Sequence, residues 1–487
     1  MAHEPATTEI AIIGGGFGGI GAAIRLRQAG FNELIIFERA AELGGVWRDN
    51  SYPGCACDVP SHLYSLSFAP NPNWSHSFSR QPEIWDYLRR VACEFGVLPH
   101  VRLGHEVLGA VWDDGRQRWQ IETSRGPYEA RFLVVASGAL SEPAIPAIPG
   151  LECFAGANFH SARWDHSYDL AGRRVAVIGT GASAIQFIPA IQPSVERLLV
   201  FQRTPPWIVP RVERSISLAE RRLFARFPLL QRLQRAWIYA VRELLVAAFR
   251  RPWLMRWTLQ RAAERYLERS VPDPELRTKL TPRYAMGCKR ILASNDYLPA
   301  IQQPNVELIT ERIVAVTARG PVTADGVEHA VDAIIFGTGF KVTTQPIAGR
   351  IRGRDGRTLA ETWGVSPQAH LGTTVAGFPN MFFLQGPNTG LGHTSVLYMI
   401  ERQIEHMVRA LRHMRQRGAT AIEPRPEAQA AFVAAVDRAM KGTVWTAGGC
   451  QSWYLDGSGR NSTIWPGYSW QFARRLRRFD PAEYVWS

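Results

Sequence analysis

No stretch of this 487-residue chain reaches 18 apolar residues without a charge, so no segment reads as a membrane-spanning helix. Cysteine is scarce, at six residues. The only close pair, Cys55-x-Cys57, has a spacing that rarely makes a working disulfide, and Cys93, Cys153, Cys288 and Cys450 stand alone. All six are read as reduced thiols of a cytosolic protein, mostly packing residues. No Cys/His cluster has zinc spacing and none suggests an iron–sulfur site, so no metal is expected. The start, MAHEPATTE, is polar and acidic and lacks a secretory signal, which makes the cytoplasm the expected location. Low-complexity segments are absent.

A nucleic-acid-binding module is also missing. The net charge of +13 therefore does not by itself point to DNA or RNA, and no nucleic acid is expected as a partner. Residues 211–270 carry 14 Arg and 5 Glu on a helix-like background, LFARFPLLQRLQRAWIYAVRELLVAAF. Leu, Phe and Trp recur there at three- and four-residue steps. One reading is an amphipathic helical cap over an active site, and this is preferred. The sharper reading is a basic amphipathic surface that touches an anionic membrane.

What the chain does hold is two glycine-rich loops. The first, Gly14-x-Gly16-Phe17-x-Gly19, follows the apolar run Ile10–Ile13 and precedes Ala and Leu at helical spacing. Strand, tight turn and helix form the context that a dinucleotide fingerprint requires. Gly14 permits the turn, Gly16 lets backbone approach a pyrophosphate, and Gly19 lets helix and strand pack closely. The helix N-terminus would face the phosphates with its dipole. The next predicted strand ends at Glu38, whose carboxylate can accept bonds from both ribose hydroxyls.

The second loop, Gly179-x-Gly181-x-Ser183-Ala184, follows Arg174–Ile178 and is the Ala-ending variant. Its second strand ends at Arg203, followed by Thr204. Glu38 stands 24 residues after Gly14, and Arg203 stands 24 residues after Gly179. The two units share a register but carry opposite charge at the same place. A carboxylate repels a 2′-phosphate, whereas a guanidinium grips it in a fork. The first site is expected to take FAD and the second NADPH.

Two such sites imply electron transfer from nicotinamide to flavin. A length of 487 residues suits two to four structural units. Strands ending in glycine turns, at Leu133–Gly138 and Asp332–Gly339, mark chain crossings between two nucleotide domains. The expected fold is α/β, with two Rossmann-like dinucleotide-binding domains and an inserted helical subdomain. The expected boundaries are 1–146 and 338–487 for the two parts of the FAD domain. The NADP domain takes 147–210 and 276–337, with the helical insert at 211–275.

Between the loops lies FAGANFHSARWD, with Phe154, Gly156, His160, Trp164 and Asp165 in the pattern F-x-G-x-x-x-H-x-x-x-W-D. A match of this kind arises by chance about once in ten thousand chains of this size. A second segment reads Gly44-Gly45-Val46-Trp47, then Tyr52-Pro53-Gly54, then Asp58. On these motifs the chain resembles the type I Baeyer–Villiger monooxygenases, class B flavoproteins, over essentially its whole length. Related flavin N- and S-oxygenating enzymes typically end the signature differently, so Trp164-Asp165 favours the Baeyer–Villiger branch.

The resemblance implies an NADPH- and O2-dependent flavin monooxygenase that inserts one oxygen next to a ketone carbonyl through a C4a-peroxyflavin. The product is an ester or lactone, and the substrate a small apolar ketone. It also implies Arg290, in MGCKRILASNDY, as the catalytic cation, with Asp58 as the carboxylate paired to it. Lys289 would join Arg203 and Thr204 around the 2′-phosphate. Gly45, Trp47 and Tyr64 would contact flavin, and Trp453 would lie near the nicotinamide ribose and substrate, with a buried core Trp as the competing reading. His160 would couple the domains rather than transfer protons. Two rivals stay open at this point: an enzyme oxygenating sulfur or nitrogen, and a non-oxygenating NADPH-dependent flavin reductase.

Overall fold

The apolar run Ile10–Ile13 lies in the strand Ala6–Ile13, flanked in parallel by Leu34–Glu38 and Gly126–Val135. Parallel neighbours need a crossover, which the helix Phe17–Gln28 supplies. The first sheet runs, in spatial order, 351–352, 107–113, 118–123, 126–135, 6–13, 34–38, 101–103. Met381–Phe383, from late in the chain, pairs with the end of Gly126–Val135. Both ends of the chain thus build one sheet. The computed structural model describes residues 5–487.

A second sheet has five parallel strands in the order 306–309, 197–201, 174–178, 333–336, 157–160. Its inner strands are almost wholly apolar and buried, as all-parallel sheets covered on both faces require. The signature segment enters as the edge strand Ala157–His160. The short strands Ile208–Val209 and Leu292–Ala293 pair with each other. Between them lie the helices Leu218–Arg226, Pro228–Arg250 and Arg261–Ser270. The fold is α/β, with two Rossmann-like sheets and an inserted helical segment.

Two sequence readings need correction. Cys288 and Cys450 form a disulfide across 162 residues, so the six cysteines are not all reduced thiols. Spacing could not show a pair brought together only by the fold. The bond ties the turn carrying Lys289 and Arg290 to the segment leading into Trp453. Among the others, burial raises the Cys55 thiol to about 12 and pushes Cys57 higher still, which suits inert packing residues.

The second correction concerns the long helix Pro228–Arg250. Its inward side mixes polar residues with the apolar Val246, Ala248 and Phe249, while Arg232 and Arg250 stay exposed. Gln231 and Glu243 are buried, and Arg235 donates to the His62 carbonyl and Ser65 Oγ. Leu229, Leu230, Leu233, Leu244 and Trp237 face outward, whereas Leu245 packs inward. Periodicity reveals that a helix has two faces, but not which of them the rest of the chain covers.

Candidate active site

The first loop builds a cradle at the carboxyl end of its sheet. Gly14 has φ +106°, and a Cβ there would lie 2.6 Å from the Ala136 carbonyl. The helix that starts at Phe17 has no side-chain cap and no acid in its first turn, so its N–H groups are available to an anion. Gly16 packs against Gly45, so the GGVW segment backs the glycine loop. Glu38 is buried and pinned: its Oε2 accepts from Gly15 N–H at 2.9 Å, and its Oε1 from Ala40 N–H at 3.0 Å and Arg48 at 3.1 Å. Arg48 carries no motif signal in the sequence.

These residues line a cleft of about 420 Å³ that also takes in Trp47, Tyr64, Ser137 and Gln385. Trp47 Nε1 donates to Tyr64 Oη at 3.0 Å, and Phe17 meets the Tyr64 ring edge-on at 5.4 Å. Ser137 Oγ is buried without a partner among the described residues. A glycine cradle, an uncapped helix, a carboxylate at the strand end and an orphaned hydroxyl fit FAD.

The second loop repeats this geometry. Gly179 has φ +103°, and a Cβ there would lie 2.6 Å from the Gly337 carbonyl, the counterpart of Ala136. Gly181 is exposed beside it, and Ser183 precedes the helix Ala184–Ile191 without capping it. Arg203 is exposed, and Thr204 beside it accepts from Thr180 Oγ1 at 3.5 Å. Lys289 lies close enough for burial and the Arg203 charge together to lower its pKa. Two cations converging this way suit the 2′-phosphate of NADPH.

The signature residues occupy the seam between the sheets. Phe154 is buried, and Gly156 leaves room for the Asp332 carbonyl, which a Cβ would approach to 2.3 Å. His160 Nδ1 accepts from Ala162 N–H, and its ring stands 5.6 Å from Phe340, where the chain crosses back. Burial lowers its pKa to about 4, so it is neutral near pH 7. Trp164 packs on Phe159 and Phe187. Asp165 is exposed and accepts from Ser167 N–H and Oγ, which holds the turn. The next residue, His166, meets Ser51 Oγ at 2.8 Å. Tyr52 donates to Gln186 Oε1 at 3.0 Å, and Gln186 donates to the Ala56 carbonyl at 3.0 Å. Gln186 is a contact between the sheets that no motif indicated.

Asp58 and Arg290, 232 residues apart, meet at 2.6 Å through Arg290 Nε and Asp58 Oδ2. Burial raises the Asp58 carboxyl, but the charge and hydrogen bond of Arg290 outweigh it, and the group stays below the usual carboxylate range. Arg242, from the inner side of the long helix, adds to that lowering. The Asp58 charge in turn keeps Arg290 protonated against the cost of burial. Arg290 also donates weakly to the Leu391 carbonyl at 3.4 Å. The buried Tyr454 hydroxyl lies near this pair, has no hydrogen-bond partner among the described residues, and is pushed up to about 12 by burial. Trp453 is 42% exposed, so it is no core residue, and its ring meets that of Tyr454 at a tilt, 4.3 Å between centroids. Arg242 and Tyr454 escaped the sequence reading, because nothing in their surroundings along the chain marks them.

Two dinucleotide cradles, with a half-buried Arg290–Asp58 pair beside Lys289, define an FAD- and NADPH-dependent oxidoreductase. The family model for pyridine nucleotide-disulphide oxidoreductases matches residues 11–221. A Baeyer–Villiger monooxygenase of Streptomyces coelicolor is 53% identical over 98% of this chain and 92% of its own length. One from Pseudomonas aeruginosa is 50% identical over 98% and 91%. A crystal structure of OTEMO in complex with FAD and NADP superposes with a TM-score of 0.89 at 27% identity, covering 100% of both chains. The chain belongs to the Baeyer–Villiger monooxygenase family.

It is therefore an FAD-containing, NADPH- and O2-dependent monooxygenase that inserts one oxygen atom beside a ketone carbonyl, giving an ester or lactone. Reactions at sulfur or nitrogen, and plain flavin reduction, are not favoured. Bound FAD supplies the redox chemistry, accepting hydride from NADPH and activating dioxygen. That chemistry needs the cofactors held in place, a positive charge where negative charge develops, and water excluded. The separate cysteines 55 and 57, both neutral thiols, are unsuited to disulfide reduction despite the description of the matching family model.

Proposed function

We propose that Arg290 is the catalytic cation of this oxygenation and that Asp58 positions it. The observation that carries this reading is the 2.6 Å pair between two residues from different halves of the chain, at the junction of the two cradles. Gly14, Gly16, Gly19, Glu38, Gly45, Trp47 and Tyr64 hold FAD. Gly179, Gly181, Ser183, Arg203, Thr204 and Lys289 hold NADPH, with Trp453 at the nicotinamide end. The FAD domain comprises residues 1–146 and 338–487, and the NADP domain comprises 147–210 and 276–337, interrupted by the insert 211–275. Phe154 to Asp165 couples the two as a structural seam. The NADPH requirement favours the cytoplasm as the working compartment.

The ketone is apolar. Phe249, Met286, Trp445 and Tyr454 form a buried cluster beside Arg290. Ketones of matched length, with and without a terminal carboxylate, test this class. The uncharged members are expected to show the higher kcat/KM, with ester detected as a gain of one oxygen. A preference for the keto acids would point to Arg242 as a substrate anchor and overturn the apolar assignment.

Arg203→Ala is expected to lose at least about tenfold of the NADPH-over-NADH preference. A charge-assisted hydrogen bond contributes about 1.5–3 kcal/mol, and each 1.4 kcal/mol is tenfold. Steady-state kcat/KM with both nicotinamides reads this. An unchanged ratio would remove Arg203 from the phosphate site.

A further inference from the structure

The outward face of the helix Pro228–Arg250 is apolar throughout. Leu229, Leu233, Trp237, Val241 and Leu244 recur every three or four residues and are 66%, 58%, 67%, 43% and 72% exposed. No polar side chain interrupts them, and only Leu230 and alanines lie between them on that face. Beyond the extended residue Arg251, Trp253 and Trp257 are also exposed, at 61% and 58%, and Arg261 stacks over the Trp257 ring. Scattered exposed leucines are ordinary, but a continuous stripe rimmed by charge marks an interaction surface.

The rim is basic. Arg226, Arg232, Arg250, Arg251 and Arg256 are exposed and make no ion pair among the described residues. The nearby acids are largely engaged: Glu213 and Glu220 pair with arginines, and Glu243 is buried against His393 and Ser469. Trp and Arg around a leucine stripe are the composition of a helix lying in a lipid headgroup layer. A second copy is the poorer occupant, because a two-fold contact would set the same unpaired arginines against themselves. No helix among the described residues is long and apolar enough to cross a membrane, so the helix would lie on a bilayer rather than span it.

The inner face of the same helix reaches the reacting centre. Arg242 contributes to the electrostatics of Asp58, and Phe249 stacks on Trp445 at 5.1 Å. Outer stripe and catalytic pair are thus separated by little more than one helix, roughly 10–12 Å across.

We propose that this face docks the enzyme on an anionic bilayer, from which it draws ketones dissolved in the lipid. The second half of the proposal rests on the apolar-ketone reading above; the docking itself does not. Holoenzyme is sedimented with vesicles of phosphatidylcholine alone, or of equimolar phosphatidylcholine and phosphatidylglycerol. It is expected to bind the anionic vesicles at least tenfold better, with binding weakened by salt. A variant carrying Leu233→Glu, Trp237→Glu and Leu244→Glu should lose at least tenfold of that binding. It should keep its FAD and its turnover of a water-soluble ketone, since these residues touch neither cradle. On a long-chain ketone loaded into anionic vesicles, only the variant should slow.

Vesicle binding that is equal for wild type and variant, or equally weak on both lipids, would overturn the docking. So would a dimer, detected by light scattering, that the variant dissolves, because the stripe would then be covered by a second copy. Docking without any advantage on the vesicle-held ketone would refute the delivery step alone. Failure on every apolar ketone, soluble ones included, would instead indict the substrate reading.

Discussion

Arg290→Ala is expected to go on oxidising NADPH while ester formation falls by about 10²–10³, with hydrogen peroxide released in its place. Removing one preorganised charge from a reacting centre typically costs that much, about 2.7–4 kcal/mol. The pair geometry sharpens the expectation. Asp58 is held ionised chiefly by Arg290, against the cost of its own burial. The variant would therefore lose a cation and also leave a carboxylate facing the site where negative charge must develop. Arg242 and Arg211 are further guanidinium groups within electrostatic reach of Asp58 and should only partly compensate. Arg290→Lys retains a charge but loses the planar fork that bonds Asp58 through Nε, so an intermediate loss is expected. Product analysis by mass, together with a peroxide assay, reads both outcomes. Full ester yield from Arg290→Ala would refute the assignment.

Gly16→Ala and Gly19→Ala should both bind FAD more weakly, for different reasons. At Gly16 the backbone is extended, with φ −91° and ψ −163°, a conformation alanine adopts freely. The nearest atom to a Cβ there is Gly45 Cα at 3.7 Å, so nothing in the protein resists the substitution. Gly16→Ala should fold with nearly unchanged thermal stability. Its methyl would stand where the pyrophosphate approaches, and FAD affinity should drop at least tenfold, about 1.4 kcal/mol or more. At Gly19 a Cβ would lie 1.9 Å from the Gly14 carbonyl oxygen. Helix and loop would have to part, so Gly19→Ala should lose FAD and melt several degrees lower. Apoprotein melting curves and flavin absorbance separate the two. A Gly16→Ala protein with unchanged FAD affinity would place the cofactor elsewhere.

Much of this site could be read along the chain because its parts are local. A strand–turn–helix–strand unit spans about 30 residues. Gly14 and Glu38, like Gly179 and Arg203, could therefore be placed by counting. Lys289, Arg290 and Asp58 were named only through the family resemblance, since a basic pair and a lone Asp carry no pattern of their own. Arg48, Gln186, Arg242 and Tyr454 had no signal of either kind. Each acts through a neighbour more than 100 residues away, or through a packing direction that periodicity does not specify. Arg48 is the exception in distance, and its link to Glu38 depends on how the second glycine pair turns.

The sequence by itself determined the two sheets, their cofactors, the charge difference between the two strand ends and the family. These follow from patterns whose physical origin is short-range: turn sterics, helix dipoles and alternation of burial. Only the tertiary structure decided which long-range partners meet and which helix face is covered. It joined Cys288 to Cys450, set Tyr454 rather than Trp453 in the buried place near Arg290, and turned the leucine stripe of residues 229–244 toward the outside. Those outcomes depend on closing loops of a hundred residues or more and on competition among faces for one core, and no local pattern encodes either.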